Sequence, residues 1–157
     1  MSQLSQPSAD AARPRPDLDD PLWGPHWRGI REHELRFQQC DACGTLRWPP
    51  APLCPNCLEP AHGWTACQPE GTIWSVAIYE HAYHPGFRAQ LPYGVVLVGL
   101  DCGINYISRI CPDDLDRVAP DQRVTGVFVE LEPGLVLLEF ELVRSSSADG
   151  AANKDQA

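Results

Sequence analysis

Apolar positions along this chain change their spacing once, and the change divides it. In the stretch 21–40 (PLWGPHWRGIREHELRFQQC), Trp23, Trp27 and Ile30 recur at i, i+4 and i+7, the spacing of one helical face. A short helix over Pro25–Glu34 is predicted; Pro25 suits a helix start, while Gly24 and Gly29 weaken the segment. Two tryptophans on so short a helix either pack on the protein's own core or insert into a partner subunit, because interfaces also use large aromatic faces. From Gly71 onward the spacing becomes that of strands: Thr72–Tyr79, Tyr93–Asp101, Ile104–Ile110, Arg123–Leu131 and Leu135–Val143 are rich in β-branched, aromatic and leucine residues. Asp101-Cys102-Gly103 and Glu132-Pro133-Gly134 supply turns, and Pro112–Val118 reads as a helical turn whose Asp113, Asp114 and Asp116 favour its positive end. Three strands, a short helix and two strands is the layout of a five-stranded OB-fold barrel; an SH3-like barrel would not place a helix there. The expected fold is mainly β.

Both ends lack this patterning. Residues 1–20 carry little apolar content and residues 145–157 carry no large apolar side chain, so both are expected to be disordered tails. The organisation expected between them is a helical segment over 21–36, a metal-binding ribbon over 37–68 and a barrel over 69–144.

The ribbon rests on cysteines. Cys40-x-x-Cys43-Gly44 and Cys54-x-x-Cys57 supply four thiolates in two tight turns, and four-coordinate tetrahedral zinc is the usual occupant. Iron held by four cysteines uses the same ligand geometry and stays open at this point. With every ligand from protein the metal is structural, not catalytic. Leu46-Arg47-Trp48 is expected as the first strand of a hairpin between the knuckles, with Pro49–Pro52 as a stiff return. No secretory h-region precedes the cysteines, so the expected location is the cytoplasm, where disulfides are disfavoured. Cys67, Cys102 and Cys111 stand alone and read as small packing residues.

Charge narrows the function. The formal net charge is −9 and the single lysine is Lys154, which argues against nonspecific nucleic-acid binding; no apolar run is long enough to span a bilayer. A nucleic-acid-binding OB module is the alternative that the fold alone leaves open. Between the first two barrel strands lies Glu80–Pro92 (EHAYHPGFRAQLP), too long and aromatic for a simple turn. It either caps the barrel end or meets a ligand or partner. Its His81 and His84, beside Glu80, are the one acid/base arrangement on which a stand-alone enzyme activity could rest.

The run Cys40-x-x-Cys43-Gly44-x-Leu46-Arg47-Trp48-Pro49-Pro50-x-x-x-Cys54-Pro55-x-Cys57, then Gly71-Thr72-Ile73, His84-Pro85-Gly86-Phe87 and Leu91-Pro92-Tyr93, resembles the bacterial and archaeal zinc-ribbon OB-fold family associated with acyl-CoA metabolism. The resemblance covers roughly residues 23–142. It implies a non-catalytic subunit in stable complex with a thiolase-superfamily enzyme: a thiolase, a thiolase-like aldolase cleaving acyl-CoA side chains such as those of steroids, or an acyltransferase. It implies a role in enclosing or passing on the CoA thioester, in a family where some members are fused to a hydratase-like domain. The metal ligands carry over as Cys40, Cys43, Cys54 and Cys57. An interface over Trp23, Trp27, Ile30, Tyr83, His84, Phe87, Leu91 and Tyr93 is expected. In a chain without lysine before residue 154, contacts to CoA phosphates would fall to Arg28, Arg31, Arg36 or Arg47, or to the partner.

Overall fold

The computed structural model describes residues 13–144. Most of the two expected tails therefore lies outside the described residues. Residues 13–20 run along the barrel without helix or strand, with Arg15 bonded to Glu132 at 2.6 Å.

The helix, α1, spans Gly24–Arg31 and ends three residues before its predicted limit. Asp20 sets its start: its Oδ1 accepts the N–H groups of Leu22 and Trp23 at 2.8 and 2.7 Å. Its end is a left-handed residue, His33 (φ 62°), with the His33 N–H bonded to the Ile30 carbonyl and the Glu34 N–H to that of Gly29. That pair of bonds is the usual helix-stopping motif, with histidine where glycine or asparagine is common.

The reversal frees Leu35 and Phe37 to enter the core and starts β1 (Arg36–Cys40) at the last residue of the helical segment expected over 21–36. β2 (Leu46–Arg47) and β3 (His62–Ala66) pair antiparallel on either side of β1. The strand at Leu46 is therefore real but shorter than expected. It pairs back on β1 and not on Pro49–Pro52, whose prolines have no N–H to donate.

The remaining strands form a closed barrel: β4 (Glu70–Tyr79), β5 (Tyr93–Leu100), β6 (Asn105–Ile110), β7 (Arg123–Glu132) and β8 (Leu135–Leu142), in the order β4-β5-β6-β8-β7. All neighbours are antiparallel except β6 and β8, which meet in a short parallel seam at Arg109↔Glu139 and Ile110↔Phe140. This is the OB-fold layout the pattern predicts. Strict alternation along β5 sends Val96, Val98 and Leu100 inward, where they meet Ile73, Ile110, Val124 and Phe140.

A bulge between Ile73 and Ser75 throws Trp74 outward, 56% exposed. Its indole lies over Gly99, where a Cβ would fall 2.5 Å from the ring nitrogen. The expected helical turn after β6 is a single 3₁₀ turn, Pro112–Asp114. Asp114 does more there than face a helix dipole: buried, it accepts from Arg117 through Oδ1 and from the Leu142 N–H at 2.7 Å through Oδ2, pinning the turn to β8.

Ribbon and barrel share one core. The linker between them is sewn down at both ends, by the Cys67 N–H to the Leu35 carbonyl (2.8 Å) and by the Gly126 N–H to the Pro69 carbonyl (2.6 Å). His26 joins all three parts. Its ring lies 4.2 Å from that of Trp48 and within 6.1 Å of those of Trp27, Phe37 and Tyr106.

Nδ1 of His26 is 2.8 Å from the Arg36 carbonyl and Nε2 is 3.1 Å from the Tyr106 hydroxyl. A carbonyl only accepts, so Nδ1 carries the proton and Nε2 accepts from the hydroxyl. Burial is the main cause that drives the His26 pKa down to about 4, against the Arg36 hydrogen bond, and burial also raises that of Tyr106. The aromatic face of α1 is thus spent largely on the protein's own core. Ile30 is buried, Trp27 packs against the core, and Trp23 meets Trp48 edge-on at 5.4 Å.

Candidate metal centre and loop surface

Two knuckles bring the sulfurs together. In the first, Gly44 (φ 71°) lets its N–H reach back to the Cys40 carbonyl at 2.9 Å; in the second, Leu58 (φ 63°) does the same to Cys54. Nothing lies within 4 Å of where a Gly44 Cβ would stand, so the cost of a side chain there is conformational alone. Gly44→Ala is therefore expected to cost about 1 kcal/mol. A lower urea midpoint with an unchanged slope is the readout.

The four sulfurs lie within 4.8 Å of one another, with Cys40–Cys57 and Cys43–Cys57 at 3.5 Å and Cys43–Cys54 at 3.7 Å. A tetrahedral ion with metal–sulfur bonds of about 2.3 Å sets its ligands roughly 3.8 Å apart, so the cage fits such an ion. The thiols do not titrate alike. Hydrogen bonding to Thr45 pulls Cys43 down to about 5. At Cys57 the Glu59 N–H acts downward, but the Cys40 and Cys43 sulfurs outweigh it and lift the thiol to about 12. That crowding of sulfurs is what a divalent cation relieves. Cys40 and Cys54 are buried, Cys43 and Cys57 exposed.

The loop after β4 holds the second group of expected site residues. Pro85–Gln90 forms a 3₁₀ turn capped by His84, whose Nδ1 accepts the Gly86 N–H at 3.1 Å, so that nitrogen is committed to the loop itself. Tyr93 stacks on Tyr79 at 5.0 Å, Phe87 packs on Tyr93, and Tyr83 stands 90% exposed beside Tyr79. Tyr83, His84, Phe87, Leu91 and Tyr93 are therefore brought together at one barrel end, whereas Trp23, Trp27 and Ile30 belong to the core beside the ribbon.

The expected arginines do not converge. Arg28 donates to the Leu18 carbonyl, Arg36 is tied to Glu34 and Glu32, Arg31 is exposed, and Arg47 is buried with its Nε on Gln38 Oε1 at 2.7 Å.

Sequence reasoning missed three charged residues under the loop. Arg109 donates to Gln90 Oε1 at 2.8 Å and lies over the Tyr93 ring, and Arg13 lies over Phe87. Glu139, 3% exposed, is the cross-seam partner of Arg109. Burial raises its pKa against the pull of Arg109 and Arg13. A glutamate between Leu138 and Phe140 on β8 gives no sign that it will be buried; only its alternation against those two inward side chains places it on the barrel's outer face.

Residues 27–63 match the rubredoxin-like zinc ribbon domain of ChsH2, and residues 64–129 match the C-terminal OB-fold domain of ChsH2. The chain belongs to the ChsH2 family. Over 143 residues it is 30% identical to a Thermomonospora curvata protein named "Probable enoyl-CoA hydratase alpha subunit", covering 88% of this chain and 43% of that protein. It is 28% identical over 104 residues to the Mycobacterium tuberculosis 3-oxo-4,17-pregnadiene-20-carboxyl-CoA hydratase alpha subunit, covering 66% of this chain and 32% of that one. The chain thus spans less than half the length of these curated relatives. Among solved structures, a chain of the Ltp2-ChsH2(DUF35) aldolase superposes with a TM-score of 0.72 at 28% identity, over 83% of this chain and 98% of its own. A DUF35 protein of unknown function from Sulfolobus solfataricus shares the fold, with a TM-score of 0.54 at 15% identity over 79% of this chain and 87% of its own. Among the described residues no helix is long and apolar enough to cross a membrane.

Proposed function

We propose that this chain is a non-catalytic accessory subunit of a cytoplasmic complex built on a thiolase-superfamily enzyme that acts on acyl-CoA. Its ribbon is stapled by zinc held on Cys40, Cys43, Cys54 and Cys57, and its loop Glu80–Pro92 is turned to the companion subunit. The observation that carries this reading is the loop: Tyr83 stands almost fully in solvent at the head of a ring cluster whose base is fastened by Arg109 and Gln90. A rigid, amphipathic ring presented in this way is what binding hot spots are made of. The likeness to a chain of the Ltp2-ChsH2(DUF35) aldolase supports the class of partner, and two relatives named as hydratase subunits support an acyl-CoA setting, one of them a steroid acyl-CoA. Substrate chemistry belongs to the companion; this chain helps enclose the thioester and hold the companion's shape.

Co-expression with a thiolase-fold protein from the same genome is expected to yield one co-eluting species in mild salt. Tyr83→Ala is expected to weaken that complex by about 2 kcal/mol, roughly 30-fold in Kd, without altering the chain's own unfolding midpoint. Elution of the native chain alone would sink the reading.

A further inference from the structure

Three arginines do converge, away from those the sequence singled out. A cleft of about 410 Å³ opens where β7 begins and β8 ends, lined by Arg117, Gln122, Arg123, Leu142, Val143 and Arg144. Three of the chain's eleven arginines thus line one cleft, in a protein whose net charge is −9. Acids hold two of them in place. Arg123 lays Nη1 and Nη2 on the two carboxylate oxygens of Asp101, each at 2.7 Å, and Arg117 Nη2 donates to Asp114. A guanidinium carries five N–H groups, so a bidentate pair or a single bond leaves most of them for another acceptor. Both side chains are about half in solvent, 54% exposed for Arg117 and 47% for Arg123, and Arg144 is exposed, so a ligand reaches all three. The backbone under them is fastened by the Val143 N–H on the Arg123 carbonyl at 3.0 Å and the Leu142 N–H on Asp114 Oδ2 at 2.7 Å. Guanidinium groups braced in this way lose little freedom when an anion arrives.

The charge balance decides the ligand. Asp101 and Asp114 offset two of the three positive charges, and Glu141 lines an adjoining hollow that shares Leu142, Val143 and Arg144. A monoanion with one or two acceptor oxygens gains little there. A dianion with three acceptor oxygens draws on all three guanidinium groups at once, and phosphate matches their forked geometry. A nucleic-acid strand would bring one charge per phosphate and meet the repulsion of the whole acidic chain. We propose that this cleft binds a phosphate dianion, free or as the end group of a small monoester, with Arg117, Arg123 and Arg144 around its oxygens and Leu142 and Val143 beside the ester's body. The site lies within this chain and is independent of how the loop meets a companion subunit.

NMR of the arginine Nε–H groups in the full chain tests it, in low salt and well above the second phosphate pKa of about 6. The probes are phenyl phosphate, benzenesulfonate, which has nearly the same shape with a single charge, and inorganic phosphate. Phenyl phosphate is expected to shift the Arg117, Arg123 and Arg144 signals saturably, with affinity about tenfold above that of benzenesulfonate, the worth of one charge-assisted hydrogen bond. Tighter binding of phenyl phosphate than of inorganic phosphate would assign the cleft to a monoester, and equal binding would assign it to free phosphate. Arg144→Gln, beyond the last strand, is expected to weaken phenyl phosphate about fivefold and to leave the unfolding midpoint unchanged. Equal affinities for phenyl phosphate and benzenesulfonate, shifts that never saturate or centre on other residues, or an unchanged affinity in Arg144→Gln would overturn the proposal.

Discussion

Removing the metal, or replacing the buried cysteine Cys54 by serine, is expected to melt the two knuckles, residues 40–45 and 53–61, while Trp48 and the barrel strands stay in place. The knuckle half of the ribbon has little else to hold it. β2 is two residues long, and Leu53 and Leu58 point to solvent, with Leu58 70% exposed. A structural zinc ion in small finger peptides supplies on the order of 10–16 kcal/mol of binding free energy that doubles as folding energy. No apolar contact in the knuckles replaces such a sum. The other half is different: Leu35, Phe37 and Trp48 are packed with α1 and the barrel. Hydrogen exchange should therefore show lost protection at Cys40, Cys54 and Leu58, partial loss along β1, and native protection in β5 and β8. Uniform loss through the barrel would mean that the metal supports the whole fold, and unchanged protection at the knuckles would mean that it supports none of it.

A second large effect lies in acid. His26 is neutral in its box, with a folded-state pKa of about 4 against an unfolded value near 6.5. A lowered folded pKa means that the unfolded chain takes up the proton first. The stability that His26 contributes is complete above pH 6.5 and is lost as pH falls from there through 4. The difference of about 2.5 pH units corresponds to about 3 kcal/mol at pH 4. Carboxylates titrate in the same range, so the measurement is a comparison. Between pH 7 and pH 4, urea unfolding of the native chain should lose about 3 kcal/mol more than that of His26→Gln, which keeps a donor and an acceptor but does not ionise. Parallel losses would show that His26 does not stay neutral in the folded protein.

Much of this architecture is written in local pattern. Two C-x-x-C pairs can do little except converge, and the alternation from Gly71 onward, broken by Asp101-Cys102-Gly103 and Pro112, leaves one plausible barrel order. What escaped was set by contacts distant in sequence. The end of α1 was hidden because histidine, not glycine, takes the left-handed position at residue 33. β3 was hidden because His62–Ala66 carries no clear alternation and owes its extended form to pairing with β1 across more than twenty residues. The aromatic face of Trp23 and Trp27 was legible as a face, but its partner was not: Trp48 and Tyr106 come from two other elements, and His26 between them reads as an ordinary polar residue. The loop was legible by length and rings. Arg109 and Glu139 beneath it were not, since a parallel seam joins them from strands separated by β7.

The stitched linker and the shared aromatic box leave the two halves no hinge. The knuckle tip and the ring-bearing loop sit at a set spacing, like the jaws of a caliper. Under the proposed role, a companion seated on the ring-bearing loop would meet the knuckle tip at that same set distance, and lengthening the Cys67–Pro69 bridge would shift one against the other with every surface residue kept.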